Sequence, residues 1–189
     1  MARLPDPKLR ATILNAARTV FKQKGFTDAR MADIAGEAGV AVGTIYLYFK
    51  TKEALVVALA EEINRRILTE SVPLLAEGDF SEAIERSTRK TLEICRSDRD
   101  LVLMVYLQVG ISAFNEPCET DVELGNSLIA ILDERIQRGE AKVYDPSMLA
   151  LVIIGLVDRA ALMGFLGGEE EAQLLEETLI RFLQNALVL

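Results

Sequence analysis

A chain of 189 residues, half of them apolar, suits one or two domains and can bury a sizeable core. Its net charge of −8 argues against a nucleic-acid partner if taken as a whole, yet the distribution reverses that inference. Residues 1–52 hold nine Lys/Arg against four Asp/Glu, a net +5, whereas residues 53–189 hold twelve against twenty-five, a net −13.

Histidine is absent, which excludes a His-based triad and a His metal site. Cys95 and Cys118 fit neither metal-ligand nor CxxC spacing and read as reduced thiols of a cytoplasmic protein. The opening MARLPDPKLRAT lacks the apolar core of a signal peptide. No cofactor is expected.

Pro5 and Pro7 precede a first helix over about Lys8–Lys24, with Ile13, Ala16, Ala17, Val20 and Phe21 as its buried stripe. Gly25 ends it and Phe26 drops into a small core. Lys8, Arg10, Arg18, Lys22 and Lys24 stay on the solvent side and supply sequence-independent attraction for phosphate. A second helix covers Met31–Ala38, with Met31, Ile34, Ala35 and Ala38 on one side. Gly39 then supplies the left-handed residue that a tight turn needs, and Val40 tucks beneath the turn. The third helix covers Val42–Phe49. Ile45 and Phe49 point inward, leaving Val42, Gly43, Thr44, Tyr46, Leu47 and Tyr48 outside. A short helix propped on its neighbour with an open outer face is the helix-turn-helix arrangement, whose second helix enters the major groove of double-stranded DNA.

The segments ILNAA, GF, DIAGEAGV, GTIYLYF and KTKEAL, in that order over roughly residues 9–59, resemble the signature of the TetR family of bacterial transcriptional repressors. The resemblance implies DNA contacts from Val42, Gly43, Thr44, Tyr46 and Tyr48, and a phosphate grip from Lys52. The family usually has Ser or Thr in the two positions before the second helix. Here Ala29 and Arg30 stand there, so Asp28 or Thr27 is expected to cap the helix and Arg30 to replace the hydroxyl contact with a direct charge on phosphate. Ala41 stands where Ser is common. With no Arg, Lys, Asn or Gln from Val42 to Phe49, strong bidentate base contacts are missing. Specificity then rests on a thymine methyl at Val42, on DNA shape and on half-site spacing.

Thr51 caps a fourth helix that runs to about Val72, with Leu55, Leu59, Ile63 and Ile67 on one stripe and Pro73 just beyond. The resemblance makes it the element that carries a ligand signal to the head. A fifth helix from Ser81 to Cys95 turns Ile84, Ser87, Thr88, Thr91 and Cys95 inward. A sixth opens at Asp98, and LVLMVYLQVGISAF is so apolar that it is buried all round or lines a cavity. A seventh covers Asp121–Arg138, with Leu128, Ile131, Leu132 and Ile136 inward.

The eighth opens at Asp145-Pro146 and holds 21 apolar-rich residues, long enough for a membrane span. Asp158 and Arg159 in its middle would each cost roughly 2.5–3.5 kcal/mol in a bilayer, so no membrane is expected. The ninth, Glu170–Leu187, carries Leu175, Leu179, Phe182, Leu183 and Ala186 on a stripe. RGEAKVYDP with GLVDR also resembles the family's body before its dimer helix. Two apolar C-terminal helices point to a homodimer built on a four-helix interface.

The expected fold is therefore all-α, about nine helices: an N-terminal three-helix helix-turn-helix domain over 1–52 and a helical ligand-binding and dimerisation domain over 53–189. The expected function is a ligand-responsive transcriptional regulator, a repressor on a near-palindromic operator, released by a small, largely apolar effector. Met104, Tyr106, Gln108, Phe114, Arg159 and Met163 are its candidate lining. The GTIYLYF head with an apolar body loosely resembles sensors of fatty acyl-CoA. The alternatives are a ligand-independent DNA-binding regulator or activator, and a helical enzyme or carrier. The last lacks a nucleophile with a base, a phosphate loop and a metal cluster.

Overall fold

A computed structural model describes residues 6–106 and 119–189. Those residues form nine α-helices and no strand. Their one isolated antiparallel bridge joins Ala141 to Val188. Two compact units are present. One gathers the described residues through Ala60 and those from Asp100 to Tyr106. The other gathers Glu61–Arg99 and the described residues from Glu119 onward.

In the first unit α1 spans Pro7–Asp28, longer than its apolar stripe requires. Asp6 caps it by accepting the Lys8 N–H at 2.9 Å. Gly25, at φ 75°, breaks the helical path where the sequence places its end, and a last turn follows. α2 is Met31–Glu37, α3 Val42–Tyr48 and α4 Lys52–Arg66. Ile13, Leu14, Ala17, Val20 and Phe21 of α1 are buried, as are Ile34 and Ala35 of α2, Ile45 of α3, Phe49, and Leu55, Val56 and Leu59 of α4. The apolar periodicity of the sequence is thus the core of this unit.

α4 ends six residues earlier than expected. A π turn over Ile67–Ser71 and a 3₁₀ turn over Val72–Ala76 replace its last turns. Pro73 has no N–H to offer the carbonyl four residues back, which loosens the preceding turn. The fully buried Ser71 hydroxyl is drawn onto α5 (Phe80–Ser97) instead. It donates to the Ser87 carbonyl at 2.8 Å and lies 3.1 Å from Ser87 Oγ and 2.6 Å from Thr91 Oγ1.

The second unit is built around α5, whose N-cap Asp79 accepts the Glu82 N–H. α6, Arg99–Met104, falls in the first unit from Asp100 onward, and α7 covers Glu119–Gln137 in the second. α8, Pro146–Gly167, begins at the Asp145 cap as expected. It forms a hairpin with α9, Glu169–Leu187, in which a Cβ on Gly164 would stand 3.0 Å from Ala172 Cα. Phe80, Ile84, Leu128, Leu132, Ala150, Leu179, Leu183 and Leu187 form the core, with Ile136, Ile153 and Val157 packed on it. Phe182, expected inward, is 54% exposed. It sits one position from Leu183, about 100° around the helix. On this turn Leu179, Ile180 and Leu183 mark the inward side, and Phe182 lies beyond its edge.

Two buried ionic groups tie the helices of this unit. Arg135, 2% exposed, donates to the Leu75 and Gly78 carbonyls, pairs with Glu140 and lies 5.1 Å over the Phe80 ring. Glu176 of α9 accepts from Arg89, at 2.7 Å, and from Arg96, both of α5. Each charge has partners, which is the condition for tolerating it inside.

Candidate nucleic-acid interface

The turn between α2 and α3 is built from backbone. The Ala38, Gly39 and Val40 N–H groups return to the Ile34, Gly36 and Ala35 carbonyls, and Gly39 takes φ 67°. Val40 is half-buried beneath it. α2 is not capped by Asp28 or Thr27. The Asp33 carboxylate accepts the Arg30 N–H at 3.0 Å from inside the first turn. Lys24 pairs with the same carboxylate at 2.9 Å, so this expected steering charge is engaged. Lys24 first, then the Arg30 N–H, hold Asp33 below the usual carboxylate range.

α3 is seated by Ile45, wholly buried, and by Phe49 at its C-cap, over which the Arg10 guanidinium lies at 5.3 Å. The outer face carries Val42, Gly43, Tyr46 and Leu47, all exposed, with Thr44 half-buried. A Cβ on Gly43 would meet nothing within 4 Å, so the backbone there is open to close approach. Leu47, which the sequence reading gave no role, is 74% exposed and is the most exposed large apolar side chain of this helix. The signal for it was its place between the two inward residues Ile45 and Phe49. Tyr48 is half-buried, and its hydroxyl accepts the Asp6 N–H at 2.9 Å, tying the entry of α1 to α3. The phenolic proton remains available to an acceptor.

Arg30 and Lys52, remote in sequence, line one open depression of about 410 Å³ with Thr27, Asp28, Ala29 and Met31. The Lys52 ammonium donates to the Phe26 carbonyl at 2.6 Å and the Thr27 carbonyl at 3.2 Å, and lies 4.6 Å over the Phe26 ring. It closes the end of α1 and keeps one N–H to give. Thr51 caps α4 as expected, accepting the Ala54 N–H.

The candidate effector residues fall in both units. Met104 is buried and Tyr106 is 36% exposed in the first unit. In the second, Met163 is half-buried and Arg159 stands on the exposed side of α8. Arg159 was expected to line a cavity, but it falls on the outward ridge of Met148, Val152 and Gly155. Gln108 and Phe114 lie outside the described residues.

An all-helical chain whose N-terminal end carries this helix-turn-helix belongs to the class of helix-turn-helix DNA-binding proteins. Comparison with known proteins makes the class specific. Residues 13–59 match the family model described as bacterial regulatory proteins, tetR family. The HTH-type transcriptional regulator YvdT of Bacillus subtilis is 30% identical over 180 residues, 93% of each chain. The fatty acid metabolism regulator protein of the same organism is 30% identical over 151 residues, 77% of this chain and 78% of its own. The crystal structure of FadR from Bacillus subtilis in complex with stearoyl-CoA superposes with a TM-score of 0.70 at 25% identity, covering 92% of this chain and 96% of that one. The chain belongs to the TetR family of bacterial transcriptional regulators and is not an enzyme.

Proposed function

We propose that the protein is a cytoplasmic, ligand-responsive repressor that binds a near-palindromic operator as a homodimer and is released by a largely apolar effector of the long-chain acyl-CoA class. Residues 1–52 are the DNA-reading part, and 53–189 the effector and dimer part. The observation that carries the DNA half is the outer face of α3. Val42, Gly43, Thr44, Tyr46 and Leu47 leave it free of any acidic side chain, and Arg30 and Lys52 of the same unit share one depression. Tyr46, Tyr48, Arg30 and Lys52 hold phosphates. Val42 and Leu47 touch thymine methyls, and Thr44 hydrogen-bonds a base or a phosphate.

The dimer half rests on α8 and α9. Only 28% of the most apolar stretch of α8 is buried within its own chain. Met148, Leu151 and Val152 of α8, and Leu174 and Phe182 of α9, are all more than half exposed. A second copy covers them, which leaves Asp158 and Arg159 out of any bilayer.

The effector class is supported by the likeness to the fatty acid metabolism regulator of Bacillus subtilis and to the FadR–stearoyl-CoA complex from that organism. The test is release from DNA. Stearoyl-CoA at micromolar concentration should dissociate the protein from the duplex upstream of its own gene, whereas free CoA should not. Release by neither, with DNA binding intact, rejects the acyl-CoA reading and leaves the ligand-independent regulator.

A further inference from the structure

The inward side of α5 is more polar than a core helix needs. Besides Ile84, Leu92 and Cys95 it turns Ser87, Thr88 and Thr91 toward the interior. Ser87 and Thr91 are accounted for by their hydrogen bonds to Ser71. Thr88 is not. It is only 5% exposed, yet among the described residues no hydrogen bond joins its hydroxyl to another. A helical threonine commonly returns its hydroxyl to the carbonyl four residues back, as Thr12, Thr19 and Thr69 do here. Among the described residues no fully enclosed side-chain nitrogen or oxygen lacks a partner. The Thr88 hydroxyl is therefore not sealed off: a water-sized molecule reaches it. A buried hydroxyl bonded neither to its own backbone nor to a described neighbour is open to an acceptor or donor from elsewhere.

The surroundings set the chemistry of that partner. The α5 neighbours of Thr88 on the inner side are Ile84, Thr91, Leu92 and Cys95, none of them charged at neutral pH. Burial pushes the Cys95 thiol up to about 12, keeping it neutral. Of the arginines of the helix, Arg86 donates to the Glu77 carbonyl, and Arg89 and Arg96 are turned to Glu176 of α9. Arg66 and Asp158 act on Cys95 from α4 and α8, and Arg66 is already paired with Glu70 and Asp98. A carboxylate or phosphate would find no cation among these α5 side chains, whereas a neutral oxygen needs only the hydroxyl.

We infer that Thr88 is a polar recognition point of the effector site, its hydroxyl bonding an uncharged oxygen, such as a thioester or ester carbonyl, of an otherwise apolar molecule lying along α5. This rests on the reading of residues 53–189 as an effector receptor and specifies the contact. The position suits a sensor. Thr88 stands one turn before Thr91, whose hydroxyl holds Ser71 in the π turn that ends α4. A ligand bonded to Thr88 thus presses on the side chain next to that latch.

The test compares wild type, Thr88→Val and Thr88→Ser by calorimetric titration with palmitoyl-CoA and with S-hexadecyl-CoA, a thioether without the carbonyl oxygen. T88V should bind palmitoyl-CoA about 10-fold more weakly, the scale of one lost neutral hydrogen bond. T88S should bind as wild type, and wild type and T88V should bind the thioether equally. Free T88V should melt no lower than wild type, because a methyl replaces an unbonded hydroxyl. Equal binding of palmitoyl-CoA by wild type and T88V overturns the role of Thr88, as does a fall in the melting temperature of free T88V. Failure of wild type to bind either probe overturns the acyl-CoA receptor reading on which it rests.

Discussion

Tyr48 does two things with one hydroxyl: it accepts the Asp6 N–H and keeps its proton for a phosphate. Tyr48→Phe should therefore weaken binding to all duplexes alike. Val42→Ala and Leu47→Ala should instead flatten preference at single base pairs, each by roughly 1 kcal/mol or more against the best base. A gel-shift series with systematically varied half-sites separates the two patterns, and the reverse assignment refutes this division. Asp33 has a pH signature. Its folded carboxyl lies below the ordinary 3.8, so its ion pair with Lys24 and its cap on α2 add stability above that pH. The contribution disappears as pH falls through the lower folded value. Urea midpoints of wild type and Asp33→Asn should differ near neutrality and converge in acid. Arg30 was legible as a departure from a Ser/Thr cap, but Asp33 as the substitute was not. A carboxylate three residues on reads as a surface charge until the backbone brings it under Arg30.

At the level of elements, the turn at Gly39 and the latch at Ser71 carry the sharpest expectations. Gly39 sits at φ 67° with open space around it, so strain alone penalises a side chain there. Gly39→Ala should cost about 1–2 kcal/mol in a denaturant titration. Ser71→Ala strands the Thr91 and Ser87 hydroxyls in a buried site and should cost about 1–3 kcal/mol. The helices α2 and α3 were readable because periodicity and glycine placement act locally. The end of α4 was not. The apolar stripe continues through Ile67, and only Pro73 together with a hydroxyl partner 16 residues away on α5 decides that the helix opens into a π turn. Phe182 illustrates the same limit on α9, where a stripe drawn from composition was broad enough to include a residue that faces out.

For the whole molecule, the contrast between a head of net +5 and a remainder of net −13 was fully legible, as was the all-helical class. The exposed face of α8 was legible only as excess apolarity. Which residues remain uncovered depends on how α7 and α9 pack on the other side. Leu151→Glu with Phe182→Glu should convert a dimer to a folded monomer, seen by light scattering with unchanged helical circular dichroism. A persistent dimer would place the contact elsewhere.

The central claim, that the basic end of the chain reads duplex DNA in pairs, is met most directly by fluorescence anisotropy of the duplex upstream of its own gene across a salt series. About six neutralised phosphates for two heads predict that log K falls linearly with log salt at a slope near −5. Anisotropy that stays flat at low salt, for this duplex and for every competitor, contradicts it.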